Sequence, residues 1–164
     1  MIFKKIFPSI LLGLFLLSPG LCFSMQKGDM LIPFSGITMQ GKQINMGTII
    51  GTEPVMLVFW ASWCPNCARE IPEIDRLLLT EGGKDLRVIT INVGINDSEA
   101  RARKFMDKTG LDYPVIFDAE SVITRQHGIM GVPTILIADR RGAIVYRQHV
   151  VPDEAKLLSL LPLD

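Results

Sequence analysis

Two cysteines separated by two residues carry the clearest chemistry in this chain. Cys64 and Cys67 lie in the stretch Trp-Cys-Pro-Asn-Cys at positions 63–67, directly after the apolar run Val55–Trp60. Residues three apart lie on the same side of a helix, so the two sulfurs can form a disulfide with little backbone movement. A Cys-x-x-Cys at a strand-to-helix turn is typical of reversible thiol-disulfide chemistry.

The position of each cysteine predicts its role. Cys64 is expected to begin the helix, where unpaired backbone N–H groups and the helix dipole stabilise a thiolate and lower its pKa, so we expect Cys64 to be the nucleophile. Cys67 lies one turn further on, under more apolar cover, and is expected to be the resolving cysteine. Pro65 suits the first turn because its missing N–H would have had no helical partner there. Pro65 and Asn66, between the two cysteines, are expected to shape the site.

A zinc site and a purely structural disulfide are the alternative interpretations of the pair. Zinc needs about two further Cys or His ligands at compatible spacing. The chain offers only Cys22, His127 and His149 besides, and none of them stands at a paired ligand spacing. We therefore expect no metal and no other cofactor at this site.

The N-terminus has the pattern of a secretory signal. Lys4 and Lys5 precede a mostly apolar stretch over residues 6–17, and Ser-Pro-Gly at positions 18–20 interrupts it. This order matches the basic, apolar and polar regions of a signal peptide.

Two outcomes are open for this segment. Small side chains at Cys22 and Ser24 predict cleavage after Ser24, which leaves a domain of residues 25–164. The alternative is an uncleaved membrane anchor over residues 6–23, which is almost long enough to span a bilayer. Both outcomes predict a periplasmic or otherwise extracytoplasmic protein, soluble or tethered by its N-terminus. Structural disulfides are allowed in such a compartment, but cleavage would leave Cys64 and Cys67 as the only cysteines, so the domain uses no other disulfide. This indicates that the pair is there to react.

Length and charge narrow the function classes. The 164 residues favour one domain with a sizeable core. Lysine plus arginine equals aspartate plus glutamate at 17 each, which gives no indication of nucleic-acid binding. One basic cluster is interleaved with acids at helical spacing and is interpreted as a solvated helix face: Arg101, Arg103, Lys104 and Lys108.

Strands and helices alternate along the predicted domain. Residues 30–34 and 43–46 are predicted to form a short hairpin, followed by a buried strand at Val55–Trp60, a helix over residues 64–79 and a second buried strand over residues 86–93. Asn-Asp-Ser-Glu at positions 96–99 resembles a capping box before a further helix.

The remaining elements complete an α/β fold. The prediction has a short apolar segment over residues 115–118, a short helix over 122–127, strands over 134–138 and 144–148, and a last helix over 154–161. This order predicts a mixed central sheet flanked by helices, with an inserted helix and strand after the second strand of the sheet.

Two distant motifs together resemble a known family. The run over residues 55–67, with Gly-Val-Pro-Thr at positions 131–134, resembles the thioredoxin fold, and more narrowly the exported TlpA/ResA-like thiol-disulfide oxidoreductases. Further matching residues are Gly-Lys at 41–42, Glu-Ile-Pro at 70–72 and Asn-Val-Gly at 92–94. The resemblance covers roughly residues 28–161 and implies that Pro133 is a cis-proline beside the active site. It also implies that the backbone of Val132 is free to pair with a substrate peptide.

The chain departs from the family where acids are expected. Val58 stands six residues before Cys64, where many thioredoxins have a carboxylate that helps to move the second cysteine's proton. Ile95 follows Gly94, where ResA-like proteins can have a glutamate. Glu70 is the nearest remaining acid, and it is hypothesised to act as a proton relay for Cys67. The alternative, a solvated surface glutamate, is favoured by general experience with such charges.

Two tryptophans and one histidine are assigned supporting roles. Trp63 is expected to form an apolar platform beside the Cys64 sulfur for partner docking, and Trp60 to pack against the sheet. His127 is expected to match the polarity of a helix C-terminus rather than to take part in catalysis.

The resemblance implies a disulfide reductase of exported proteins such as apocytochrome c. It also implies a membrane electron donor of the DsbD or CcdA type. Reduction is favoured over oxidation on the resemblance alone, so a thiol oxidase or isomerase stays open. A second class, a Cu(I)-binding metallochaperone-like protein with His127 as a third ligand, is also kept, because a thiol pair with an imidazole makes a soft copper site.

Overall fold

A five-stranded mixed sheet forms the centre of the molecule. The structure is a computed structural model, and it describes residues 25–161. Two strands of a small separate hairpin come first in the chain, so the sheet contains the third to seventh strands: β3 (Val55–Trp60), β4 (Arg87–Asn92), β5 (Val115–Phe117), β6 (Thr134–Ala138) and β7 (Ile144–Gln148). Their order is β5-β4-β3-β6-β7, with β3, β4 and β5 parallel and with β6 and β7 antiparallel to their neighbours. The mixed sheet predicted from the sequence is confirmed.

Strand β3 is buried along its whole length because it is the middle strand of the sheet. Leu57 and Phe59 belong to one hydrophobic cluster, together with Phe105 of the helix after β4. Met56 and Val58 belong to a second cluster, together with Ile74 of the helix after β3. Alternate side chains of a strand point to opposite faces, so the continuous apolar run supplies two cores.

Four helices follow from local signals in the sequence. Their bounds are α1 (Pro65–Leu78), α2 (Glu99–Thr109), α3 (Val122–Gln126) and α4 (Glu154–Leu160). Ser98 caps α2 by accepting a hydrogen bond from the Arg101 amide, and Gly110 ends it with a left-handed backbone. Asp153 caps α4 in the same way, through the Lys156 amide.

The N-terminal hairpin begins later than predicted. Its strands are β1 (Ser35–Ile37) and β2 (Gln43–Asn45), so the prediction of a first strand at residues 30–34 is wrong. The earlier segment pairs elsewhere: Met30 forms an isolated bridge with Ala143, and Leu31 donates a backbone hydrogen bond to Gly142 at 2.9 Å. Leu31 and Phe34 of this segment are buried in the main core, whereas Met30 is exposed.

The predicted signal or anchor over residues 1–24 lies outside the described residues. Within residues 25–161, no helix combines the length and the apolar character needed to cross a membrane. Met25, the predicted first residue after cleavage, is fully buried in the core.

Candidate active site

The two cysteines form a disulfide at the N-terminus of α1. The sulfurs of Cys64 and Cys67 are 2.20 Å apart and the Cα atoms 5.3 Å. Cys64 is the N-cap residue, with an extended backbone, and its sulfur accepts a hydrogen bond from the Cys67 amide at 3.1 Å. The Cys64 sulfur therefore lies where free N–H groups and the helix dipole favour negative charge.

The cysteines differ in what surrounds them. Both are buried, with 5% of Cys64 and 2% of Cys67 exposed. Cys64 lines an open groove between the active-site loop and α2, whereas Cys67 is not among the residues that line it. The first sulfur is thus nearer to an approaching partner than the second.

A buried carboxylate holds the loop that carries Cys64. Asp97 accepts hydrogen bonds from the amide and the hydroxyl of Ser62, each at 2.6 Å, and from the side-chain amide of Asn92 at 2.8 Å. Its side chain is fully buried. Burial by itself raises the pKa of Asp97, but the hydrogen bonds from Asn92 and Ser62 outweigh it and hold the pKa below its ordinary value.

Strand register explains why Asp97 can reach Ser62. Asn92 lies opposite Trp60 at the carboxyl ends of the parallel strands β4 and β3, and the chains that leave these ends lie side by side. Gly94 makes the turn after β4 with a φ of +70°, and a Cβ there would meet the Asp118 carbonyl oxygen at 2.2 Å. The turn leads directly into the segment that holds Asp97.

Asp97 is the site residue that sequence reasoning missed. The capping-box interpretation of residues 96–99 placed it before a helix, and Ser98 does cap α2. The available signal was a pair of polar residues, Asn92 and Asp97, at the carboxyl end of the strand expected beside the Cys-x-x-Cys strand.

The Val132–Pro133 peptide bond is cis and lies beside the active-site loop. Thr134 pairs with Phe59 in the antiparallel β3–β6 register, which places Pro133 next to the end of β3. The Pro133 carbonyl accepts a hydrogen bond from Nδ1 of His149 at 2.7 Å. From the sequence alone, His149 has no predicted role at the active site. It lies 16 residues after Pro133, and only the folding of the β6–β7 hairpin brings the two residues together.

A depression of about 410 Å³ joins this proline to α1. It brings together four residues singled out from the sequence: Asn66, Glu70, Val132 and Pro133. Arg69 and His149 also line it. The two halves of the resemblance, far apart in sequence, therefore share one surface.

Glu70 has a defined partner in the structure. Its Oε2 accepts a hydrogen bond from the Val151 amide at 2.8 Å, so it connects α1 to the segment after β7. This contact differs from the solvated surface glutamate that the sequence favoured. The proton-relay role of Glu70 stays a prediction.

Val58 and Ile95 are apolar residues at the two positions where an acid was expected from the resemblance. Val58 is buried, 3% exposed, in the cluster that contains Ile74. Ile95 is about half exposed at 48%, and its carbonyl accepts a hydrogen bond from the Trp63 indole N–H at 2.8 Å. Ile95 therefore serves the site through its backbone.

The two tryptophans lie in different environments. Trp63 is 49% exposed and lines the groove beside Cys64. Trp60 is 1% exposed and stacks on Phe105 of α2, with ring centroids 4.7 Å apart. The stacked pair packs α2 against the end of β3, which fixes the position of α2 relative to Cys64.

His127 lies in the core at the C-terminal end of α3. It is fully buried and contacts the Phe34 and Phe59 rings, and its Nδ1–H donates to the Ile123 carbonyl at 2.8 Å. Burial lowers the pKa of His127 below its ordinary value, so the ring is neutral at pH 7 and matches the helix end by a hydrogen bond rather than by charge. Across residues 25–161, no three His, Cys, Asp or Glu side chains are grouped so that they could hold a metal ion.

Comparison with known proteins agrees with this geometry. The family model described as AhpC/TSA family matches residues 27–147. The chain is 31% identical over 121 residues to the thioredoxin-like protein YneN of Bacillus subtilis, a match that covers 73% of this chain and 69% of that protein. It is 28% identical over 120 residues to the thiol-disulfide oxidoreductase ResA of Halalkalibacterium halodurans. That match covers 73% of this chain and spans 66% of the relative's length.

The fold has a solved counterpart. A thiol:disulfide interchange protein of the thioredoxin family from Chlorobium tepidum superposes with a TM-score of 0.66 at 24% identity. The superposition covers 84% of this chain and 97% of the other. The thioredoxin fold expected from the two motifs is confirmed.

Proposed function

Because this chain belongs to the AhpC/TSA family, and within it to the TlpA/ResA-like thioredoxin-fold proteins, we propose that it is an extracytoplasmic thiol-disulfide oxidoreductase. On the resemblance, its direction of action is the reduction of disulfides in exported proteins. The observation that carries the proposal is the Cys64 sulfur at the N-terminus of α1, paired with Cys67.

The proposed reaction has two exchange steps. The Cys64 thiolate attacks one sulfur of a client disulfide, which forms a mixed disulfide and releases the client's other sulfur as a thiolate. The Cys67 thiolate then attacks the Cys64 sulfur and releases the second client thiolate, leaving the Cys64–Cys67 disulfide. Two electrons pass from the protein to the client, and the two protons of the dithiol end on the client thiols. The Cys67 amide that donates to the Cys64 sulfur supports the first step, because it favours the anion.

Client binding is proposed to use the loop before β6. A client strand that pairs with the Val132 backbone would pass beside Pro133 and reach Cys64, while Trp63 supplies an exposed apolar surface on the other side. Asn66, Pro65 and the cis Pro133 shape the passage between them. Apocytochrome c, whose paired cysteines must be reduced before haem attachment, is the client that the family resemblance favours.

The compartment and the electron donor are part of the same proposal. Residues 1–24 are proposed to direct export, either as a cleaved signal or as an anchor that keeps residues 25–164 at the membrane surface. A reductant in an oxidising compartment must be reduced again after each turnover, so we propose a membrane donor of the DsbD or CcdA type.

The direct test of the proposed function is covalent trapping. The full chain with Cys67→Ser should accumulate mixed disulfides with exported proteins, because the resolving step is removed. The full chain with Cys64→Ser is the matched control, and it should trap nothing. Trapping of both variants to the same extent, or of neither, would contradict the assigned roles.

A further inference from the structure

A basic groove runs from the active-site cysteine along α2. It has a volume of about 480 Å³, and its apolar floor and wall include Trp63, Pro65, Ala68 and Phe105. Cys64 lines one end of it. The groove shares no lining residue with the depression at Pro133, so it adds to the surface available to a partner at the reacting sulfur.

Three cations line the groove along one face of α2. Arg101, Lys104 and Lys108 follow the i, i+3, i+7 spacing that places side chains on the same side of a helix. All three are exposed. None of the side chains that line the groove is acidic.

The exposure of the basic side chains of α2 agrees with the predicted solvated helix face, and three of them also line the groove. Arg103 does not line the groove. It donates a hydrogen bond to the Met39 carbonyl, and its guanidinium lies 3.6 Å from the Glu99 carboxylate. Arg101 lies 3.5 Å from the buried Asp97. Neither Lys104 nor Lys108 has an ion-pair partner among residues 25–161, so the groove keeps uncompensated positive charge beside Cys64.

The position of the cations follows from rigid packing. Phe105 lies between Lys104 and Lys108 in sequence, and its ring stacks on Trp60. Trp60 is the last residue of β3 and is followed by the short loop that leads to Cys64. Asp97 holds the start of α2 to the active-site loop through Ser62. Both ends of the basic face are thus fixed relative to the sulfur, as a recognition surface requires.

We propose that this basic groove binds an acidic segment of the client protein next to the cysteine that Cys64 attacks. The inference rests on the proposed function and narrows its substrate class to disulfides with neighbouring carboxylates. Charge complementarity favours this occupant, since the groove offers three cations, no acid and an apolar floor that a peptide can cover.

Helix geometry predicts where the carboxylates stand. Lys104 and Lys108, the two cations without an ion-pair partner among the described residues, are four residues apart, which is about 6 Å along the axis of α2. Two residues of an extended peptide cover about the same distance, and alternate side chains point to the same side. We therefore expect two carboxylates at alternate positions near the attacked cysteine.

A binding experiment tests the groove without any exchange chemistry. The oxidised full chain is titrated with two cysteine-free peptides that carry either two glutamates or two glutamines at alternate positions, with tryptophan fluorescence as the signal. At low ionic strength the glutamate peptide should bind about 10-fold more tightly, and the preference should fall toward unity near 0.5 M salt as charges are screened.

Two variants with the same change in net charge locate the effect. Lys104→Glu with Lys108→Glu should abolish the preference for the glutamate peptide. Lys27→Glu with Lys156→Glu is the control, because both lysines are exposed and neither lines the groove. It should retain the preference. Equal binding of the two peptides, or equal loss in both double variants, would overturn the proposal.

A membrane surface is the competing anionic partner. Vesicles of phosphatidylcholine with and without phosphatidylglycerol are offered to the same variants. Binding to anionic vesicles that Lys104→Glu with Lys108→Glu removes, without any preference for the glutamate peptide, would overturn the peptide proposal in favour of lipid headgroups.

Exchange kinetics separate the groove from the proposed function. The reduced full chain is mixed with the same two sequences carrying a cysteine in a disulfide, and the glutamate form should be reduced about 10-fold faster. Reduction of both at the same rate, without a binding preference, leaves the oxidoreductase function in place and refutes the groove. A binding preference without reduction of either peptide refutes the oxidoreductase function and leaves the groove.

Discussion

Asp97 and Ser62 are joined by two hydrogen bonds of 2.6 Å, one from the Ser62 amide and one from its hydroxyl, across 35 residues of sequence. Ser62 lies two residues before Cys64, and Asp97 lies two residues before α2. This contact attaches the helix that carries the basic groove to the loop that carries the reacting sulfur. Its removal should therefore affect both stability and the site.

Substitution of Asp97 by alanine should lower the free energy of unfolding by about 3 kcal/mol, because the Ser62 and Asn92 amides lose a buried acceptor. Ser62→Ala is the matched control. It keeps the backbone bond and loses only the hydroxyl, so it should cost about 1 kcal/mol. Urea denaturation of the oxidised chain measures both, and a loss below about 1 kcal/mol for Asp97→Ala would contradict the assigned role.

The stabilisation by Asp97 should depend on pH. Its pKa in the folded chain lies below the ordinary value, because hydrogen bonds from Asn92 and Ser62 outweigh the effect of burial. The stabilisation is therefore complete above the unfolded value of about 3.9 and is lost as the pH falls through the lower folded value. The difference in unfolding free energy between the natural chain and Asp97→Ala should shrink below about pH 4. A constant difference between pH 6 and pH 3 would be inconsistent with this.

The sequence predicted those parts of the site that local pattern can encode. The strand Val55–Trp60 and the cysteines at the start of α1 follow from an apolar run that meets a helix signal. The cis Val132–Pro133 bond was expected from a family motif, since the bond type leaves no trace in periodicity.

What the sequence left unpredicted depends on long-range contacts. Asp97 was interpreted by its neighbours in sequence, and its main partner is 35 residues away. Glu70 was expected in solvent, and its partner Val151 is 81 residues away. The groove cations are exposed, as predicted, but their position beside Cys64 depends on the packing of Phe105 on Trp60. Each partner becomes a neighbour only once the sheet has formed.

Trp63→Ala should weaken client reduction while the domain stays folded. The side chain is 49% exposed, so its loss removes a docking surface and little core. Loss of an aromatic contact of this kind costs about 1–2 kcal/mol of binding, so kcat/KM for a disulfide peptide should fall roughly 5- to 30-fold, mainly through KM. Trp63→Phe is the control, because it keeps an aromatic ring at the site while it loses the indole N–H that donates to the Ile95 carbonyl. An unchanged KM for Trp63→Ala would argue against the platform.

Glu70→Gln isolates the proposed proton relay from the structural role of Glu70. Glutamine can still accept the hydrogen bond from the Val151 amide, but it cannot take a proton from Cys67. The resolving step should therefore slow at pH values where the Cys67 thiol is protonated, and recover as the pH rises. Stopped-flow measurement of thiol exchange from pH 5 to pH 9 tests this. An unchanged pH profile would refute the relay and leave Glu70 as a structural contact.

The equilibrium redox potential of the Cys64–Cys67 pair tests the central claim most directly. The full chain is equilibrated with glutathione buffers of defined ratio, and the fraction of dithiol is read after thiol alkylation. A disulfide reductase should have a potential near the reducing end of thioredoxin-fold proteins, about −270 mV. A potential near about −120 mV, the value of a strong thiol oxidant, would contradict the account.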